Sequence, residues 1–437
     1  ALVALTQEEE GEAYFPETGE FRKYGVEPRS TYGVFRLQQD FSEGQSRVGG
    51  LVTTTMRNLP ADGTFDDLPS NAYSAGLDFE HTWGNREWGI WGFFTGSHVT
   101  GDSTAMIRIQ RASNHYWQRP DQDWATLDST ATSLTGADWH LQFERRAGHW
   151  TGAVWAGEIT SAVEVNDLGF NTDAERLASG LRVAWQEVRP TRYFRNSKVE
   201  LTASTDFSHE MLRDSWSLDG LQYGQTGGSA RLSTNVEFLN FWTAQASLSY
   251  GADLMSRSAT RGGPRMVDPG SWGGTLGFGT DNRKVLFVQP RFSITRGRQG
   301  SGNRLGVNMS MTLQPSTRLL MTFTPRYDRS SSGAQYVSTT DALPFDPTYG
   351  ARYLFGELHR TDLSMVARVN WTFTPRLSLE FYAQPLVSAV EYDTYKQLLE
   401  PETFAFDRFS EGTATGTGDE LRCVGGRTCE DSGNRRY

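Results

Sequence analysis

The stretch Ala230–Tyr250, ARLSTNVEFLNFWTAQASLSY, decides the fold. In its first half Ala230, Leu232, Thr234, Val236 and Phe238 alternate with Arg231, Ser233, Asn235 and Glu237. After a turn around Leu239 to Phe241, Trp242, Ala244, Ala246, Leu248 and Tyr250 alternate with Thr243, Gln245, Ser247 and Ser249. Successive side chains of a strand point to opposite faces. The stretch therefore reads as a hairpin with one polar face and one apolar face carrying aromatics at its ends. A transmembrane β-barrel is built this way, with lipid against the apolar face and water against the polar one.

The pattern recurs along the chain. Eight hairpins with short turns are predicted: 31–42 with 45–57, 71–84 with 86–98, 134–146 with 149–160, 178–190 with 197–209, the 230–250 pair, 271–280 with 284–297, 303–314 with 318–329, and 361–373 with 377–391. Gly, Asn, Asp, Pro and Ser dominate the turns, as tight hairpins require. The intervening stretches 58–70, 99–133, 161–177, 210–226, 254–269, 330–360 and 392–437 are long, and only 298–302 is short. Short turns on one side and long loops on the other is the outer-membrane asymmetry, with the turns facing the periplasm. Structureless loops of this length count against a soluble sandwich. The expected fold is all-β: a large antiparallel transmembrane β-barrel with about 16 or more strands, in one domain over 1–437, with long outer loops near 99–133, 330–360 and 392–437. Trp83, Trp88, Trp150, Trp242 and Trp371 are the candidates for an interfacial girdle. By parity, Thr6–Ser30 is an outer loop and Ala1–Leu5 ends an outward-running strand. Both chain ends then read as cut, and the closed barrel as larger than this chain.

Composition narrows the function classes. None of the 437 residues falls in an apolar run long enough, at about 18 residues, for a transmembrane helix. A net charge of −10 argues against a nucleic-acid partner. The two cysteines, Cys423 and Cys429, are a disulfide candidate, and two unpaired thiols remain the alternative. No HExxH or tight His/Cys cluster occurs among the seven histidines, so no zinc site, metal or cofactor is expected. His209 with Asp206 and His98 with Ser97 are generic pairs, and no catalytic residue is assigned. Asp167 and Asp173, beside Asn166 and Asn171, read as an Asx-rich turn ahead of a calcium site. Lys198, Glu200, Arg231, Glu237, Arg368 and Glu380 fall on the polar face by alternation. They either line a passage and select by charge or pair with one another across the wall. Tyr116, Trp117 and Trp124 offer an outer-loop binding surface for sugar stacking, or pins that fold the loop inward, the latter favoured.

Several motifs carry a resemblance: SRVGGLVTT at Ser46–Thr54, YWQRPD at Tyr116–Asp121, NDLGF at Asn166–Phe170 followed by Asp173, RGGP at Arg261–Pro264, and LSLEFYAQPLVSAVEY at Leu377–Tyr392. Together they resemble the family catalogued as domain of unknown function 5916, large barrels of Gram-negative bacteria. The resemblance implies an outer-membrane barrel, often preceded by a carbohydrate-binding-like β-sandwich. That sandwich, the family's opening barrel strands and its closing strand pair are not in this sequence. The family has no established activity. The expectation is a channel or transport barrel for polar solutes, carbohydrate among them, in the lipid bilayer of a bacterial outer membrane. The alternative is a non-conducting receptor or scaffold whose outer loops bind a partner. A periplasmic or surface protein partner fits either reading.

Overall fold

The computed structural model describes residues 1–122, 124–209, 224–415, 422–424 and 428–430. The chain is all-β, with nineteen strands in large antiparallel sheet. It divides into two compact units: residues 1–183, 204–227 and 261–263, and residues 184–203, 228–260 and 264–437.

In the first unit β1 (Leu2–Thr6) is followed by a separate hairpin, β2 (Glu9–Phe15) and β3 (Glu20–Glu27), and then by β4 (Ser30–Phe41), with which β1 pairs. A continuous antiparallel run follows: β4, β5 (Ser46–Arg57), β6 (Asn71–Trp83), β7 (Trp88–Thr100), β8 (Ser133–Arg145) and β9 (Trp150–Ile159). A helix, α1 (Ser103–Arg111), lies in the connection between β7 and β8. The β6–β7 turn carries positive φ at Gly84, Asn85 and Arg86. Such backbone matches the right-handed twist of the flanking strands and favours Gly and Asn.

Three strands carry residues of both units, β10 (Arg176–Glu187), β11 (Phe194–Phe207) and the start of the strand that follows them. The second unit continues through β12 (Gln225–Phe238) and β13 (Thr243–Gly251), paired as the opening stretch predicts, with Leu232 opposite Leu248 and Arg231 opposite Ser249. A small hairpin, β14 (Leu254–Ser256) with β15 (Met266–Asp268), precedes β16 (Ser271–Gly279). The ladder then runs through β17 (Leu286–Gly297), β18 (Gly302–Ser316), β19 (Leu319–Thr340) and β20 (Arg352–Thr374). β20 pairs with β21 (Leu377–Ala383) and with β22 (Leu386–Leu398), and β22 pairs with β23 (Phe406–Arg408). Last come β24 (Glu411–Thr415), β25 (Arg422–Val424) and β26 (Thr428–Glu430). The register puts Cys423 opposite Ala414 and Cys429 opposite Gly412. The side chains of both cysteines, and with them the disulfide candidate, lie outside the described residues.

All eight predicted hairpins are present, with several corrections. The predicted loop over Thr6–Ser30 is mostly the β2–β3 hairpin. The predicted loop 330–360 is mostly strand, because β19 and β20 are 22 and 23 residues long. The loop 99–133 holds α1, and 254–269 holds β14 and β15. The predicted strand 377–391 is split at Gln384–Pro385, where proline has no N–H to give the ladder. Its carbonyl still accepts from Met365 N–H at 3.1 Å.

In both units one face is apolar and open. Leu77, Phe94 and Val154 in the first unit, and Leu248, Leu276 and Leu363 in the second, are each more than half exposed. Contiguous exposed apolar surface marks a face that meets an apolar environment. The buried cores are small and lie off the ladder's middle. Ala72, Val99, Ala105, Met106 and Leu134 form one. Met266, Tyr353, Phe355 and Leu398 form the other, within the second unit.

Candidate functional site

The opposite, polar face of the second unit carries a band of arginine. The register sets three adjacent rows across β17–β20. Arg291, Asn308, Arg326 and Ser364 form the first, and Ser293, Gly306, Asp328 and Asp362 the second. Thr295, Arg304, Ser330 and Arg360 form the third. Two aspartates are thus flanked on both sides by arginines. Arg304 grips Asp328 with Nε and Nη2 at 2.9 and 2.7 Å, and Arg326 lies 3.5 Å from the same carboxylate. Arg360 pairs with Asp362 at 2.8 Å, and the Ser388 hydroxyl donates to Asp362 at 2.6 Å. Arg291 donates to the Gln245 carbonyl at 2.9 Å. Asp328 is nearly covered and Asp362 partly so, while the guanidiniums of Arg304, Arg326 and Arg360 stay about half exposed. Between Arg291, Arg304 and Arg326 lies a groove of about 330 Å³ floored by Ser293, Gly306 and Ser310.

The polar face of the first unit is balanced by contrast. Arg36 binds Asp78 in a fork at 2.5 and 2.9 Å, and Arg47 reaches Glu80 at 2.8 Å. Arg146 bridges Glu80 and Glu144 at 2.7 and 2.6 Å. Beyond this ladder the α1 segment packs on the same face. Asp102 caps the helix by accepting from Thr104 N–H at 2.9 Å. Met106 is fully buried against Ala72, Val99 and Leu134, three residues that share one row of β6, β7 and β8. Gln110 clasps the returning chain, donating to the Asp128 carbonyl and accepting its N–H at 2.9 and 2.7 Å. His115 bonds the Ser161 carbonyl at 2.9 Å and the Glu164 carboxylate at 3.3 Å. Glu164 also accepts from Asn166 N–H at 2.7 Å, and Ser97 Oγ accepts from Glu164 N–H at 3.1 Å. Burial pushes the Glu164 carboxyl up, but the bonds from His115, Asn166 and Asn114 outweigh it and hold it below its ordinary value. Arg57 and Asp167, both nearly covered, pair at 2.5 Å.

The six polar-face candidates divide by what they touch. Lys198 pairs with Glu200 on its own strand at 2.6 Å, and Glu237 takes Arg195 at 3.1 Å and Asn196 at 2.6 Å. Arg368 lies over the Tyr382 ring at 5.3 Å, and Glu380 stands opposite Asn370 in the register. Arg231 continues the third arginine row, through Ser249, Gly273 and Thr295. Trp117 packs on the core under α1, the Trp124 N–H donates to Glu175 at 2.7 Å, and Tyr116 sits at φ 50° in the same turn. Ser97 and His98 fall on opposite faces, His98 bonding Thr135 at 2.8 Å. His209 pairs with Glu158 at 2.9 Å. Asp173 N–H donates to Asn171, and Asn171 N–H to Asn166, at 3.2 and 2.6 Å, an Asx-turn arrangement. Among the described residues no three His, Cys, Asp or Glu side chains cluster as a metal site. Arg291, Arg304, Arg326, Arg360 and the His115–Glu164 contact escaped the sequence reading. For Arg291, Arg304 and Arg326 the signal existed, since they alternate with Phe292, Leu305 and Pro325, whereas Arg360 lies in a stretch read as loop.

The fold and its two faces define an all-β protein of large antiparallel sheet with one open apolar face and one charged face. The family model for "Domain of unknown function (DUF5916)" matches residues 1–407, and the chain belongs to that family. No curated protein matches. Among solved structures the chain is similar to a ferric enterobactin receptor mutant from Pseudomonas aeruginosa in complex with enterobactin, at TM-score 0.42 and 8% identity over 86% of this chain and 72% of that one. A siderophore receptor from Acinetobacter baumannii gives TM-score 0.39 and 8% identity, over 85% and 71%. An anion-selective porin from Comamonas acidovorans gives TM-score 0.30 and 10% identity, over 71% and 91%.

Proposed function

We propose that the protein is a β-barrel of the bacterial outer membrane that passes polar solutes along its charged face. The observation that carries this is the alternation itself: large apolar side chains stand exposed on one face while the opposite face holds ion pairs and a groove. Each exposed Leu or Phe is worth about 1.5–3 kcal/mol when removed from water, so lipid is the environment that makes these ladders stable. A polar face turned away from lipid supports a water-filled interior. Conductance of the full chain in planar bilayers tests the reading. Stable single-channel steps are expected, and an insulating protein would overturn it. One observation favours a second reading. The α1 segment seats on the polar face of the first unit through a buried core, as a plug does, which suits a receptor that stays closed until a partner engages it.

A further inference from the structure

We infer that the polar face of β17–β20 is a binding lane for polyvalent oxyanions, the phosphate and carboxylate groups of small solutes. The inference rests on the reading of that face as the watered one, and it names the solute class.

Four guanidiniums, from Arg291, Arg304, Arg326 and Arg360, meet two carboxylates, Asp328 and Asp362, in three adjacent rows. The excess is cationic although the chain as a whole carries −10. The carboxylates do not cancel the lane. Asp328 is almost covered and fixes Arg304 through two bonds, so it holds guanidinium planes in place while their remaining N–H groups stay open to water. Arg291 meets no carboxylate among the described residues and spends one N–H on Gln245. Guanidinium presents paired N–H groups whose spacing matches two oxygens of a phosphate or carboxylate. Strands two apart lie about 10 Å from each other, so Arg291 and Arg326 face each other across Asn308, beside the Ser293–Gly306 floor, and grip one anion between them. Glycine at 306 keeps that floor low: a Cβ there would stand 2.6 Å from the Ser293 hydroxyl.

The test uses the full chain in detergent micelles, with inorganic pyrophosphate and citrate as probes in calorimetric titration. Wild type is expected to bind at least one of them, more weakly as salt rises. The triple variant Arg291→Gln, Arg326→Gln, Arg360→Gln should lose about tenfold or more in affinity, and the first-unit variant Arg36→Gln, Arg47→Gln should not. Tighter binding of one probe assigns phosphate or carboxylate. Strand circular dichroism unchanged in the triple variant shows that the loss is not unfolding. Absence of binding by wild type, or equal affinity in wild type and triple variant, overturns the inference. Conductance without anion binding sinks the lane and leaves passage standing. Anion binding by an insulating protein does the reverse.

Discussion

The two polar faces are built from the same residue types and reach different ends. On the first unit, arginines and carboxylates alternate across neighbouring strands, and each guanidinium in the ladder has a carboxylate to itself or shares one in a bridge. On the second, arginines outnumber carboxylates, and the carboxylates serve to position them. The first face is also partly roofed by a folded segment with its own core, whereas the groove of the second is open. Pairing closes a charged wall, and an imbalance of one sign leaves it available to solutes.

The sharpest way to break this contrast is to unseat α1. Met106→Asp places a charge in a site with no exposure, a change expected to cost about 3 kcal/mol or more. Single-channel conductance of that variant should rise if the segment roofs the first face, and stay at the wild-type level if it does not. Next in size is Glu164→Gln, which leaves His115 and Asn114 facing a weaker acceptor. A loss of about 1–3 kcal/mol is expected, read as faster proteolysis within 101–132. The sign follows from the lowered carboxyl. The stabilisation is full above the unfolded-state value and is lost as pH falls through the folded one, so acid should speed cleavage of wild type but not of the variant. Arg36→Gln removes one exposed, solvent-screened fork of the paired ladder and should leave the unfolding midpoint close to that of wild type, as chemical denaturation would show. Smallest is Asp281→Asn in the β16–β17 turn. Arg283, bonding the carboxylate at 2.7 Å, holds the Asp281 pKa down to about 2. Its contribution is present above about pH 4 and lost towards pH 2, so the variant should flatten the acid limb of the stability curve over that window alone.

Much of the ladder was legible because a strand with one apolar face keeps period two, as Leu305, Val307, Met309, Met311 and Leu313 do. The β19 and β20 extensions were not, because Ser330, Ser331, Ser332 and Gly333 carry no apolar row. A stretch of strand with no apolar face loses the alternation and reads as loop, although farther along the same extension Tyr336, Tyr353 and Phe355 pack into a core. The β2–β3 hairpin hid because Glu9, Glu10, Glu12, Glu20, Arg22 and Lys23 outweigh its apolar positions, although Tyr14 and Phe21 pair across it. For α1 the signal was present, an Asp102 cap followed by Ala105, Met106 and Ile109 at helical spacing, inside a stretch read as loop. The His115–Glu164 contact joins residues 49 apart in sequence, and nothing local announces such a pairing. The lumen candidates were found by alternation, but which of them pair depends on register. The arginine rows emerge only when four strands are laid side by side.

The length of β19 and β20 sets a distance. At about 3.3 Å per residue, strands of 22 and 23 residues reach about 70 Å, where about 10 tilted residues cross a bilayer. The half of this hairpin nearer its tip is braced at its side by the core of Tyr353, Phe355 and Leu398. Its tip, around Leu343 to Tyr349, presents both of those side chains exposed, at the end of the hairpin opposite the β20–β21 turn.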